Sequence, residues 1–385
     1  MARPGGQAKF VEGNLLRHIT VMSLTSSVGL MAIFAVDLMN MVFISWLKDE
    51  EITAAVGYAG AILFFTTAFG IGLSIAVSAQ VSRAVGMRDP ALAREKATYG
   101  LVVSTLFGIV FAALVWLFLP AFVGALGATG RTAELCVHFL RIVIPAQPFL
   151  IVGMIGGAIL RSHGDARRAM MATVWGAVVN ALLDPLLIFG LGMGLTGAAL
   201  ASVVSRVVIA ALALQPIRAH HGGFDPPSLR GILDDLPPVF AIAGPAILTQ
   251  LATPVGQAIV TRMVAGFGEA AVAGMAIAGR LTPVALGVIF AMSGAVGPII
   301  GQNYGAGRLD RVRRAFLDAL IFTGIVVAVT TAILFVLRAP IADLFHAEGV
   351  TREILYLFCG RCAFCSSSTA RSSLPMPPAT TWVRR

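Results

Sequence analysis

Three polar side chains stand inside stretches that are otherwise lipid-soluble, and their chemistry suits the handling of a proton or a small cation. Asp37 is the only charged residue between Ile19 and Leu47. Asn180 and Asp184 stand four residues apart in the apolar run 169–190, which places them on one face of a helix. An ionised carboxylate at membrane depth costs a few kcal/mol on insertion scales, so such acids persist where they are paired or where they move an ion. Two carboxyls sharing a low-dielectric site cannot both ionise cheaply, and one of them can then hold and release a proton. The alternative is a structural acid hydrogen-bonded between packed helices. Intramembrane acids mark ion pathways often enough that the functional reading is preferred.

The elements that must hold these groups are legible from composition. The chain is 57% hydrophobic and 12% charged, with a mean hydropathy of +0.87, against about 25% charged in soluble domains. Apolar runs of roughly 20 residues recur along nearly the whole length, the signature of a chain that crosses a bilayer many times. The runs are continuous rather than alternating, so helices, which satisfy their own backbone in lipid, are expected instead of a barrel. The pattern predicts spans near 20–46, 55–81, 98–119, 136–160, 169–190, 195–217, 237–265, 270–300 and 315–337, followed by a stub of a tenth. At 1.5 Å per residue, Asp37, Asp184 and Asn180 then lie about 13, 9 and 15 Å from the same end of their spans, at matching depth.

Sixteen Lys and Arg residues fall in the N-terminus and the even-numbered turns, and four in the odd-numbered ones. This bias predicts a cytoplasmic N-terminus, and it assigns the net charge of +9 to topology rather than to nucleic acid. The first apolar stretch is too long for a cleavable signal and reads as an anchor.

Two segments repeat. "AQVSRAVGMRDPALAREKA" (79–97) follows span 2 and "GQNYGAGRLDRVRRAF" (301–316) follows span 8, with Gln80 aligned on Gln302. An offset of about 220 residues predicts an all-α fold of two pseudo-symmetric six-helix halves. Residues 1–216 form the N-terminal lobe with spans 1–6, 217–238 a polar cytoplasmic linker rich in Gly and Pro, and 239–356 an incomplete C-terminal lobe. Beyond Tyr356 the composition turns to Cys, Ser, Pro and Arg. The stretch 357–385 is therefore expected to be a disordered tail, from a truncated or frameshifted reading frame.

The combination of Gly164-Asp165 and Arg168 after span 4, Asn180-x-x-x-Asp184-Pro185 in span 5, Gly194-x-x-Gly197-Ala198-Ala199-Leu200-Ala201 opening span 6 and "GQNYGAGRLDRVRRA" (301–315) resembles the multidrug and toxic compound extrusion (MATE) family. The resemblance covers residues 15–350. It implies a monomeric, multi-pass antiporter of the bacterial inner membrane that expels drugs or organic cations on an ion gradient, with no bound cofactor. Asp37 matches the family's span 1 acid, and Asn180 with Asp184 its span 5 polar pair. Span 7 carries Thr249, Gln250, Thr253 and Gln257 but no acid, and the family's span 10 acid has no counterpart. Both departures favour protons over sodium as the coupling ion. Those four residues, with Asn40, are the candidate cavity lining.

Other features carry less. Arg206 and Arg280 lie within spans and are read as packing or snorkelling side chains. Gly192-x-Gly194-x-x-Gly197 matches a dinucleotide-binding pattern, but no acid follows before Asp225, so a tight hairpin between spans 5 and 6 is expected. Cys359, Cys362 and Cys365 have metal-site spacing without a fourth ligand, and no metal site is expected. An embedded enzyme would need converging catalytic groups that are not found. The runner-up is a flippase of lipid-linked sugars, expected to line its cavity with several cations; few sit in these spans, so drug export is preferred. An inactive truncated transporter is a further alternative.

Overall fold

The computed structural model describes residues 8–47, 49–265, 269–344 and 349–359. Every regular element among them is helical: α1 (Leu15–Ser45), α2 (Glu50–Gly86), α3 (Pro90–Leu117), α4 (Leu119–Ala125), α5 (Gly130–Val143), α6 (Gln147–Ser162), α7 (Ala166–Pro185), α8 (Gly194–His220), α9 (Leu229–Ala265), α10 (Glu269–Gly305), α11 (Leu309–Leu344) and α12 (Gly349–Leu357). Nine stretches among the described residues are long and apolar enough to cross a membrane, matching the predicted spans. This is a multi-pass helical membrane protein. The fourth span is broken where Pro145 falls, and a 3-10 turn, Ile144–Ala146, joins α5 to α6. The expected tail from 360 onward, with Cys362 and Cys365, lies outside the described residues; Cys359 is buried beside Leu334, Ala342 and Leu355.

Acids outside the apolar runs act as helix starts. Asp49 accepts from Glu51 and Ile52 N–H, Asp89 from Ala91 and Leu92 N–H, and Asp165 from Arg168 N–H. Each satisfies donors that the first turn leaves free, and each sits where the helix dipole favours negative charge. Burial opposes the charge on Asp165, but the neighbouring His221, 3.5 Å away, and the hydrogen bonds from Arg168 outweigh it and hold the carboxyl below the usual range. Arg168 Nη1 is 2.5 Å from Asp165. Gly192 and Gly194 have φ of +64° and +54°, which closes the expected turn between α7 and α8.

Helices α1 and α2 join the first six spans to the later ones. α1 packs on both α7 and α10, and α2 packs on α6, α9 and α10. The described contacts between the two parts of the chain gather toward the ends where the basic turns lie. Leu15, Ile19 and Met22 of α1 share one core with Met292, Ala295 and Ile299 of α10. Leu73, Val77 and Val81 of α2 share another with Ala243 and Ile247 of α9. A third core, around Ile44, Ala59, Leu119, Phe139 and Leu195, contains only residues of the first six spans.

At this seam the backbones nearly touch, as small residues allow in membrane helices. A Cβ on Gly86 would lie 2.1 Å from the Gln302 carbonyl oxygen, and one on Gly305 would lie 2.0 Å from that of Arg83. Gly60, in the same helix as Gly86, has no atom within 4 Å of its Cβ position.

Two connecting segments cross the seam reciprocally. Residues 8–14 lead into α1 yet bond to the α10–α11 corner. Phe10 N–H donates to Gln302 Oε1 (3.0 Å), and Phe10 O accepts from Asn303 Nδ2 (3.0 Å) and Arg311 Nη2 (3.2 Å). Gln302 Nε2 donates in turn to Ser162 O at 2.7 Å. Residues 221–228 lead into α9 yet bond to α3. Asp225 N–H donates to Thr98 Oγ1 (3.0 Å), Ser228 and Tyr99 share a hydroxyl bond (3.0 Å), and Lys96 pairs with the buried Asp235 just inside α9.

Gly86→Ala is expected to lower stability by about 1–3 kcal/mol through overpacking against a backbone that cannot move aside. Gly60→Ala should be neutral or stabilising by up to about 1 kcal/mol, since alanine is the better helix former. Thermal unfolding of the two purified variants in one detergent checks the contrast; equal melting temperatures would contradict it.

Candidate functional site

The polar pair of α7 lies deep in the bundle. Asp184 is wholly buried and Asn180 is 8% exposed. Asn180 Nδ2 donates to Asp184 Oδ2 at 3.4 Å. The other oxygen of each, Asp184 Oδ1 and Asn180 Oδ1, has no donor among the described residues. Two acceptor oxygens without donors suit a proton on the carboxyl, which would turn an acceptor into a donor, or a hard cation.

The next residue shapes this end of the helix. Pro185 has no N–H for the ladder, and the chain widens into a π turn, Leu186–Gly190, a departure common at functional sites. α8 settles against it closely: a Cβ on Gly197 would lie 2.7 Å from the Leu187 carbonyl carbon. Lower down, Ser205 Oγ donates to Gly176 O at 2.8 Å. The two helices thereby hold a fixed spacing.

Asp37 joins this cluster from α1. It lies within Coulombic range of both the Asp184 carboxylate and the Arg206 guanidinium. Unlike Asp184 its side chain is exposed from the packed bundle, so the two acids divide into an accessible one and an enclosed one.

Arg206 of α8 corrects the packing reading made from the sequence. Its Nη1 donates to Gln147 Oε1 (2.7 Å) and to Val143 O (3.0 Å). Gln147 is fully buried and its Nε2 donates to Thr66 Oγ1 at 3.0 Å. The hydrogen-bonded line Thr66–Gln147–Arg206 thus links α2, α6 and α8, and Asp37 of α1 lies within Coulombic range of its end. The break at Pro145 opens the fourth span where Val143 O becomes available to the guanidinium. Sequence reasoning missed Gln147 and Thr66, whose only signal was a glutamine shortly after a helix-breaking proline.

The remaining candidates stand apart. Asn40 is half-buried on α1 and Gln250 half-buried on α9, while Thr249 is exposed and turns its hydroxyl onto Pro245 O of its own helix at 2.9 Å. No hydrogen bond among the described residues ties Asn40, Thr249 or Gln250 to the acids. The side chains of Thr253, Gln257 and Arg280 lie outside the described residues. No three His, Cys, Asp or Glu side chains among the described residues converge as a metal site.

With this geometry in view, similarity to known proteins decides the family. A model of the MatE family matches residues 19–186 and 245–358. The chain belongs to the MatE family. It is 30% identical over 359 residues to an FAD transporter of Shewanella oneidensis, an alignment covering 90% of this chain and 78% of the relative. It is 22% identical over 341 residues to the multidrug export protein MepA of Staphylococcus haemolyticus, covering 88% and 75%. The crystal structure of a MATE point mutant superposes with a TM-score of 0.86 at 25% identity, covering 97% of this chain and 84% of that one. An outward-facing multidrug resistance MATE transporter shares the fold at a TM-score of 0.85 and 24% identity, over 97% and 86%. As a MatE protein the chain is a membrane transporter of small molecules and not an enzyme.

Arg206→Met is expected to cost about 1–3 kcal/mol, because the buried Gln147 Oε1 and Val143 O lose their donor. Combining it with Gln147→Leu should cost less than the sum of the single changes, since the two share one network. A double-mutant cycle by thermal unfolding in detergent measures this coupling, and additive effects would contradict the network.

Proposed function

We propose that this MatE transporter is a secondary antiporter that exports drug-like organic cations by alternating access, with Asp37, Asp184 and Asn180 coupling export to inward proton flow. The observation that supports the reading is the placing of Asp37 within Coulombic range of both the enclosed Asp184 and the anchored Arg206. Ionised, Asp37 is drawn toward Arg206 and repelled by an ionised Asp184. Neutralised by a proton, it loses both forces. Only an interaction that differs between two states can shift their balance, and this one changes with each proton bound or released.

The signal has a physical route to the rest of the molecule. α1 carries Asp37 toward one end and, toward the other, Leu15, Ile19 and Met22, which share a core with α10. A change in how α1 sits against α7 and α8 therefore acts on the seam between residues 1–216 and 239–356, which move against each other as lobes about the linker 217–238. Protons are preferred over sodium because the stretch 237–265 contributes no acid. The excess of Lys and Arg at the end bearing residue 8 supports a cytoplasmic N-terminus in a bacterial plasma membrane. FAD is the second cargo reading, favoured by the name of the 30% identical relative.

Asp37→Asn is expected to abolish gradient-driven efflux while preserving the fold, Asp184→Asn to impair it less, and Asn180→Ala to weaken coupling. Ethidium and FAD transport in vesicles under separately imposed pH and sodium gradients checks all of this. Normal efflux by Asp37→Asn would overturn the assignment, and strict sodium dependence would replace the ion.

The reciprocal segments at 8–14 and 221–228 act here as latches of the cytoplasmic face. Each begins the first helix of one half and is bonded to the other half, so opening that face must break both. Gln302→Ala removes the bonds to Phe10 and Ser162 and is expected to raise the population open to the cytoplasm on the order of tenfold. The readout is thiol labelling at Ser78→Cys in a background without native cysteines; an unchanged labelling rate would take these segments out of the cycle.

A further inference from the structure

Helices α7 and α8 lie side by side and antiparallel, and two grooves follow the face they present at their basic ends. One, of about 460 Å³, passes along α8 by Gln215 and Arg218. The other, of about 320 Å³, lies between the helices and is lined by Arg168, Met171, Trp175 and His220, among others. The two share Gln215 and Ala219, so they form one continuous depression around the end of α8.

The lining changes character with depth. Arg168, Arg218 and His220 are exposed at the mouth. Farther along α7, Met171 is 40% and Trp175 51% exposed. Trp175 stands nine residues beyond Ala166, about 13 Å into the apolar layer. Among the described residues no carboxylate pairs with Arg218, and the ion pair recorded for Arg168 uses Nη1 alone, on Asp165. Arg168 also lines the second groove, and a planar guanidinium fork matches a phosphate. A solvated basic helix end would need no such cavity, and a purely apolar packing face would not carry three basic side chains at its rim.

We propose that this groove binds one anionic phospholipid of the leaflet that meets the basic helix ends. The phosphodiester lies between Arg168, Arg218 and His220, near Gln215, and one acyl chain runs along Met171 and Trp175. Basic pockets between membrane helices favour such headgroups, and the length of the groove suits a headgroup and the upper part of a chain. The lipid bridges the same two helices that carry Asn180, Asp184 and Arg206, so its binding steadies their spacing from outside the ion site.

The test is native mass spectrometry of the full chain in detergent, titrated with phosphatidylglycerol, with phosphatidylcholine of the same chains, and with glycerophosphoglycerol, which has the headgroup but no chains. Phosphatidylglycerol should be retained in preference to the other two. Arg168→Gln with Arg218→Gln should reduce its retention on the order of thirtyfold, the contribution of two basic residues at an anionic surface. Arg218→Gln with His220→Gln, which leaves the Asp165 pair intact, should reduce it too, and an unchanged melting temperature without lipid shows that the fold survives. Equal retention of phosphatidylcholine, equal binding of glycerophosphoglycerol, or undiminished retention by a folded Arg218→Gln/His220→Gln variant would each overturn the proposal.

Discussion

In the apolar interior of a helical bundle, an ionised carboxylate is stable beside an opposite charge and otherwise gains a proton. The placement of α1, α7 and α8 follows from that constraint. Asp37 has a Coulombic counter-charge in Arg206, while the enclosed Asp184 has the Asn180 amide as its one hydrogen-bond donor among the described residues. Arg206 could not serve if its own long side chain were free to turn away. The bonds to Gln147 and Val143 hold it, and Gln147 is held in turn by Thr66. A broken span, a proline and a buried glutamine thus all serve the orientation of one guanidinium.

The same residue type does different work at different depths. Asp49, Asp89 and Asp165 sit in the turns, where backbone N–H groups and solvent meet their charge at little cost, and they start helices. Asp37 and Asp184 instead stand inside the apolar runs, away from the helix starts. Position relative to the apolar layer separates the acids that start helices from the acids proposed to couple transport.

The proposed coupling needs a rigid element common to the acids and the seam. α1 supplies it, with Asp37 toward one end and Leu15, Ile19 and Met22 in the seam core at the other. The seam itself is tight because Gly86 and Gly305 let carbonyls of the facing helices come within about van der Waals distance. Tight packing of small residues gives a discrete closed state rather than a continuum of partly closed ones.

The sequence alone determined the nine spans and the depth of Asp37, Asn180 and Asp184, because hydropathy and the i, i+4 spacing are local properties of a helix. It also determined the α7–α8 turn, where closely spaced glycines supply the backbone freedom that a tight reversal requires. The tertiary structure decided the rest. Arg206 read as packing because its partners Gln147 and Thr66 come from two other spans, and no periodicity reports which helices meet. The anchor of residues 8–14 is likewise distant in sequence, since Gln302 is 292 positions away from Phe10. Thr249 matched the polarity expected of a cavity, yet its hydroxyl is spent on its own helix. Polarity can be read from a residue's name, but the direction and partner of a side chain are set by which helices pack together, and that is fixed only when the whole bundle closes.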